Sequence, residues 1–160
     1  MLHTTLDIAM LMHGFLTAFA LITAAGFVGL LVFSNEQRRG AINTLKMLAL
    51  LTAIFVFALG ISGAYGYVFY RLPDPDSPRS VIIETSPAAH EVLFETMEYL
   101  GLAGPVWATL IAWLTFHYKD KIFTNIAIKN TMLVLIIAAV LYTSVIAYTG
   151  VVPTRIAAVG

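Results

Sequence analysis

Long apolar runs separated by short polar breaks dominate the sequence. Four such runs cover residues 6–33, 45–70, 88–117 and 131–152, and their few charged residues lie near their ends. A helix that crosses the hydrocarbon core of a bilayer needs about 20 mainly apolar residues. Runs of this length leave no polar face for water, so the pattern predicts four transmembrane helices rather than a water-soluble bundle.

Prolines and small polar residues mark where these helices begin and end. The segment 72–78 carries three prolines, which restrict their own backbone and that of the residues before them, so residues 71–87 are predicted to form a connecting loop. Within it, residues 81–83 are expected to be a short extended or interfacial segment. Ser86 and Pro87 favour the N-cap and first position of the third helix. Pro105 is expected to kink that helix and to free the carbonyl of Gly101.

Composition narrows the class further. The 160 residues are 59% hydrophobic and 11% charged, with a mean hydropathy of +0.87. The absence of cysteine excludes disulfides, thiolate metal sites and covalently attached c-type haem. Nine basic and nine acidic residues give no net charge that would attract nucleic acid. The first run lacks a preceding Lys or Arg and is too long for a cleaved signal peptide, so residues 1–160 are interpreted as a single membrane domain.

The charges are divided unevenly between the two ends of the predicted helices. The two short connections, between spans one and two and between spans three and four, together carry six basic and two acidic residues, whereas the remaining segments carry three basic and seven acidic ones. Because basic residues are enriched in cytoplasmic loops, both termini and the 71–87 loop are predicted to lie on the outer, periplasmic side.

Histidine is the residue type best suited to carry chemistry in this chain. His13 lies inside the first apolar run and His90 at the start of the third, both towards the predicted outer side. An ionisable group inside a span is costly and is by default a candidate for function. We expect His13 and His90 to be axial ligands of a haem iron, with His3 as a substitute for one of them. His117 belongs to the opposite end and is interpreted as an interfacial residue.

Small and basic residues lie near the predicted ligands. Gly60, Gly63 and Gly66 follow one another at intervals of three near the outer end of the second run, so they form a stripe along which backbone can approach a flat macrocycle. Arg71 and Arg79 follow on the same side, and arginine suits carboxylates such as haem propionates. The alternative for the stripe is close helix packing, and the alternative for His13 is a hydrogen bond between helices.

A helical face of acids opens the third run. Glu91, Glu95 and Glu98 are spaced by four and three residues, so they share one face. Di-iron bundles use paired Glu-x-x-His motifs, which the chain lacks. The face is therefore interpreted as an acidic helix start, favoured by the helix dipole, that is available to dock a partner.

With these features the chain resembles small four-helix membrane b-type cytochromes and predicted haem-binding membrane subunits. The resemblance is carried by His13, by the segment 59–66 and by Ala89-His90-Glu91. It implies an integral membrane electron-transfer subunit with haem b, and possible use of quinone, that passes electrons between quinol or a soluble carrier and a larger redox complex. It also implies partner subunits, a surrounding bilayer, and residence in a bacterial or archaeal cytoplasmic (inner) membrane. The chain is then an electron-transfer or accessory subunit rather than a stand-alone enzyme.

Two other functions remain open from the sequence. One is a non-catalytic structural subunit of a respiratory or photosynthetic membrane complex, with the acidic face and the proline-rich loop as docking surfaces. The other is a quinone- or proton-handling membrane protein, with Asp7, His13 and Glu98 as its ionisable set.

Overall fold

The chain is helical throughout the part that the structure describes. The structure is a computed structural model that describes residues 2–34 and 39–159, with side chains described for 8–34 and 40–151. In chain order the elements are α1 (Leu2–Phe33), α2 (Arg39–Tyr70), α3 (Pro78–Thr85), a π-helix (Ala89–Phe94), α4 (Glu95–Gly101), α5 (Ala103–His117) and α6 (Ile126–Val159). Its described residues contain no strand, so the predicted all-α class is confirmed.

Four stretches are long and apolar enough to cross a membrane. They are Ile8–Phe33, Gly40–Tyr70, Ala89–His117 and Ile126–Val151, which confirms the predicted number of spans. The second and fourth spans were predicted to begin at residues 45 and 131. The helices begin several residues earlier, at Arg39 and Ile126. A single lysine near a helix end, such as Lys46 or Lys129, does not stop a helix, because its long side chain reaches the interface.

The long helices are arranged antiparallel around the bundle. The helix α1 packs along α2, α2 along α5, and α6 against both α1 and α5. Gly26 faces Leu48 at one end of the α1–α2 pair, and Gly66 faces Met10 at the other. One end of the bundle carries α3, the start of α1 and the end of α6, and it is called the Tyr70 end. The opposite end is called the Lys46 end. Which end faces outward stays a prediction from the charges.

The main apolar core lies in the half of the bundle near the Lys46 end. Phe27, Leu31, Leu45 and Ile122 are almost completely buried there, in one cluster with residues of α5 and α6. A smaller cluster at the Tyr70 end joins Tyr70, Ile82, Ala89 and Phe94. Its members come from α2, α3 and the π-helix, so it fastens the connecting segment to the spans.

Large apolar side chains are exposed on the outer faces of the helices. Leu102 is 78% and Ile61 73% exposed, and no more than 28% of the most hydrophobic window of any span is buried. Burying such surface from water is strongly favourable. The exposed faces therefore indicate a bilayer environment, as the sequence predicted.

The 71–87 connection contains a helix that the sequence analysis did not predict. Ser77 caps it by accepting a hydrogen bond from the backbone N–H of Ser80, and Pro78 occupies its first position. This pair of residues is the start signal also recognised at Ser86 and Pro87, where a helical turn does begin at Pro87. Residues 81–83, expected to be extended or interfacial, are helical, and Ile82 is fully buried.

The third span is a broken rather than a continuous helix. A π-helical segment opens it, and Leu102 separates α4 from α5. The break comes three residues before Pro105, whose ring and missing N–H interrupt the helical hydrogen bonds. The Tyr142 hydroxyl on α6 donates to the Leu100 carbonyl at 2.7 Å. The helix is thus interrupted close to the predicted position, and a side chain from the neighbouring helix donates to a carbonyl there.

Candidate functional site

A buried tyrosine–histidine pair lies at the Tyr70 end of the bundle. The Tyr70 hydroxyl and His90 Nδ1 are 2.8 Å apart, and each residue is only 5% exposed. Tyr70 is the last residue of α2, whereas His90 belongs to the π-helix, so the bond joins spans two and three. A neutral imidazole has one donor and one acceptor nitrogen. The state of Nδ1 therefore decides whether Nε2 donates or accepts.

His90 Nε2 is the free functional atom of this pair. Among the described residues the structure gives a hydrogen bond to Nδ1 of His90 and none to Nε2. Nε2 is therefore the atom of this pair that a small polar ligand could engage.

The aromatic rings of Phe94 and Tyr67 pack next to the pair. The Phe94 ring stacks on Tyr70 with centroids 3.8 Å apart, and Tyr67 is roughly parallel to both rings. His90 and Phe94 lie on one π-helical turn. Wide turns of this kind are rare and are found frequently at functional sites. The wall is apolar except for the phenol and imidazole groups.

An ion pair stands beside the aromatic wall. Arg71 Nη2 contacts a Glu98 carboxylate oxygen at 3.0 Å, and the guanidinium lies over the Tyr67 ring at 4.9 Å from its centroid. Desolvation lowers the pKa of the Arg71 guanidinium, but the negative charge of Glu98 outweighs it and the net shift is upward. Of the predicted acidic face, Glu98 is thus engaged within the protein.

Arg79 lies close to this site without joining an ion pair in the described part of the chain. It interacts electrostatically with the Tyr70 hydroxyl, and its Nε is buried without a hydrogen bond. Arg71 and Arg79, predicted together as anchors for propionates, therefore differ. The first is neutralised by Glu98, whereas the second is paired with no described carboxylate.

His13 forms a second, separate polar contact between α1 and α2. Its Nδ1 lies 2.9 Å from the Ser62 hydroxyl, which also donates to the Leu59 carbonyl. The Cε1 atom of the ring is 3.3 Å from the position that a Cβ would take at Gly63. The missing side chain of Gly63 thus makes room for the imidazole.

The other glycines of the predicted stripe face neighbouring helices. A Cβ at Gly60 would meet Pro105 of α5, and one at Gly66 would meet Met10 of α1. The stripe turns along α2, so its members face two different helices. Their contacts are those of close helix packing, the alternative considered for the stripe.

The structure gives His13 and His90 different partners on α2. These partners, Ser62 and Tyr70, are eight residues apart, which corresponds to about 12 Å along a helix with a rise of 1.5 Å per residue. A haem shared by the two histidines stays a prediction. The side chain of His3, the predicted substitute, lies outside the described residues.

His117 is found at the Lys46 end, as predicted. Its ring stacks on Trp113 at 5.0 Å and meets Tyr118 edge-on at 4.7 Å. Within the described ranges no group of three or more His, Asp or Glu side chains is placed to hold a metal ion.

Two partners of the histidines were missed by the sequence analysis. Neither Tyr70 nor Ser62 was singled out as a functional residue. A signal existed for Ser62, because it neighbours Gly63 in the segment 59–66. Tyr70 carries no comparable signal, since its role depends on a loop that returns His90 to the same level.

Comparisons with known proteins yield no relatives: no protein-family model, no curated protein and no solved structure matches the chain.

Proposed function

We propose that the protein is a membrane electron-transfer subunit that binds the headgroup of a quinol or quinone at the Tyr70–His90 site. The observation that carries the proposal is the buried Tyr70–His90 hydrogen bond between spans two and three, which engages His90 through Nδ1. Such headgroups carry two oxygens on an apolar ring, and a site for them needs an apolar wall with one or two placed polar groups.

The pair has the chemistry that quinol oxidation requires from a protein. When Nδ1–H donates to the Tyr70 oxygen, Nε2 is an acceptor and can take a proton from a quinol hydroxyl. When the Tyr70 hydroxyl donates to Nδ1, Nε2–H can donate to a quinone carbonyl. Tyr70 thus acts on the substrate through His90, as a positioning residue. The electrons pass to an acceptor in a partner subunit.

The location also suits a lipid-soluble ligand. Tyr70 ends the second candidate span, and His90 lies in the first turn of the third. A headgroup there is at the boundary of the hydrocarbon layer while its tail stays in the bilayer.

Binding of a short-tailed benzoquinone to the purified protein in lipid nanodiscs tests the proposal. We expect saturable binding, weakened at least tenfold by His90→Phe, which keeps an aromatic ring and removes the free nitrogen. The matched control is His117→Phe, at the opposite end, which should stay within twofold. The absence of binding, or equal binding by both variants, would refute the quinone site.

A second candidate function is haem binding through His13 alone. It is favoured by one observation: the Ser62 hydroxyl engages Nδ1 of His13, the only nitrogen of that ring with a hydrogen bond to a described residue, and iron-bound histidines are usually held through their second nitrogen in this way. A bound haem would supply one-electron redox chemistry. The absorption spectrum of the reduced protein tests it, and His13→Ala should remove a b-type spectrum that His117→Ala keeps. A colourless protein without quinone binding would instead favour the structural subunit.

A further inference from the structure

Arg79 presents a hydrogen-bond donor that nothing in the described chain satisfies. Its Nε is fully buried and has no partner, alone among the described side-chain nitrogens and oxygens. A guanidinium remains protonated at any physiological pH. A buried donor without an acceptor is destabilising. An acceptor from outside the described residues would satisfy it.

The polar groups nearest in sequence are already engaged with one another. The Ser77 and Ser80 hydroxyls lie 2.9 Å apart, and that of Ser80 also donates to the Asp74 carbonyl. The Asp74 carboxylate accepts from the backbone N–H of Asp76. The ion pair that the structure describes, Arg71 with Glu98, does not include Arg79. The charge of Arg79 is therefore not neutralised by any described carboxylate.

The position of Arg79 indicates the kind of anion. It is the second residue of α3, and its charge interacts with the hydroxyl of Tyr70, the residue that ends the second candidate span. The end of a span is expected to lie where the hydrocarbon meets the headgroups, and phosphate is the abundant anion there. Arginine binds phosphate oxygens with short, charge-assisted hydrogen bonds. The first turn of α3 adds a favourable dipole for negative charge.

We propose that Arg79 binds a phosphate group at the Tyr70 end of the bundle, between α3 and the end of α2. A phospholipid headgroup and a soluble phosphate share the chemistry required. This site is independent of the proposed quinone site, since it uses a different side chain and a charged ligand.

The test uses the full chain in a phosphate-free maltoside detergent. One arm titrates a short-chain phosphatidylglycerol and the other inorganic phosphate, and binding is followed by native mass spectrometry and by the thermal unfolding midpoint. We expect one bound lipid and a raised midpoint. Arg79→Gln should weaken binding at least tenfold, Arg79→Lys should weaken it less, and the paired arginine variant Arg71→Gln should stay within twofold.

The baseline stability of the variants keeps the test interpretable. Without any phosphate compound, Arg79→Gln should be about as stable as the wild type, because the buried Nε makes no hydrogen bond that the variant would lose. Binding of inorganic phosphate with equal dependence on Arg79 would support the site with a soluble source. No binding in either arm, equal binding by Arg79→Gln, or a loss of baseline stability in Arg79→Gln would overturn the proposal. His90→Phe, which abolishes the proposed quinone binding, should leave this site intact.

Discussion

Replacing Gly63 with alanine examines how His13 is accommodated between α1 and α2. A Cβ at Gly63 would lie 3.3 Å from His13 Cε1, which is tight, whereas one at Gly60 would lie an ordinary 3.9 Å from Pro105 Cγ. Alanine is favoured over glycine in a helix interior by about 1 kcal/mol. Gly60→Ala should therefore raise the free energy of unfolding by up to that amount.

Gly63→Ala gains the same helix propensity but must displace the imidazole. The Ser62 hydrogen bond holds that ring, and moving a side chain off its preferred rotamer costs about 0.5–1.5 kcal/mol. We expect the two contributions to cancel, so that the variant is neutral or destabilised. In a His13→Ala background the ring is absent, and Gly63→Ala should become as stabilising as Gly60→Ala. The expected coupling between the two sites is about 1 kcal/mol.

The assay is reversible unfolding in mixed micelles. It is applied to the wild type, to Gly63→Ala, to His13→Ala and to the double variant of these two. Gly60→Ala, measured in both backgrounds, reports the gain in helix propensity that this chain shows in a micelle. Only differences in the free energy of unfolding between variants are then compared. If Gly63→Ala has the same effect with and without His13, the glycine does not make room for the ring and the reasoning fails.

Three further outcomes follow from the contacts. The double variant Arg71→Gln/Glu98→Gln should lose at most about 1 kcal/mol of unfolding free energy, since this partly exposed ion pair is screened by solvent, and a loss well above that would contradict the reading. Tyr142→Phe should lower the free energy of unfolding by about 1 kcal/mol, because the hydrogen bond from α6 to the Leu100 carbonyl is lost. Unchanged unfolding in denaturant would contradict this expectation. A cysteine introduced at Asn125 should not be labelled by an impermeant reagent in intact cells, as the charge distribution predicts. Labelling from outside would refute the predicted topology.

The helices could be predicted because their signal is repeated over many residues. Length and hydropathy determine a span, and no single residue decides it, so all four were located although two begin earlier than expected. The helix α3 was missed because its eight residues lie in a proline-rich segment. Its start signal, Ser77-Pro78, was present and was outweighed by the prolines before it.

The candidate site was less predictable because it depends on register between spans. His13 and His90 were selected from their residue type and position, and both do make polar contacts between helices. Their separation along the bundle follows from how far the third span extends past the second. That offset is set by the 71–87 connection and by the break at Leu102, neither of which periodicity reveals.

The largest apolar cluster and the proposed binding sites lie at opposite ends of the bundle. The largest apolar cluster lies near the Lys46 end, whereas the Tyr70 end combines a small cluster with a buried polar pair and an unsatisfied arginine. Segments with few apolar contacts open locally at lower free energy than the core. A ligand that binds the Tyr70 end only when that end is folded would stabilise it by mass action. Hydrogen exchange should therefore show that quinone or phospholipid slows exchange in α3 and the π-helix, while amides near Leu31 and Leu45 remain unchanged.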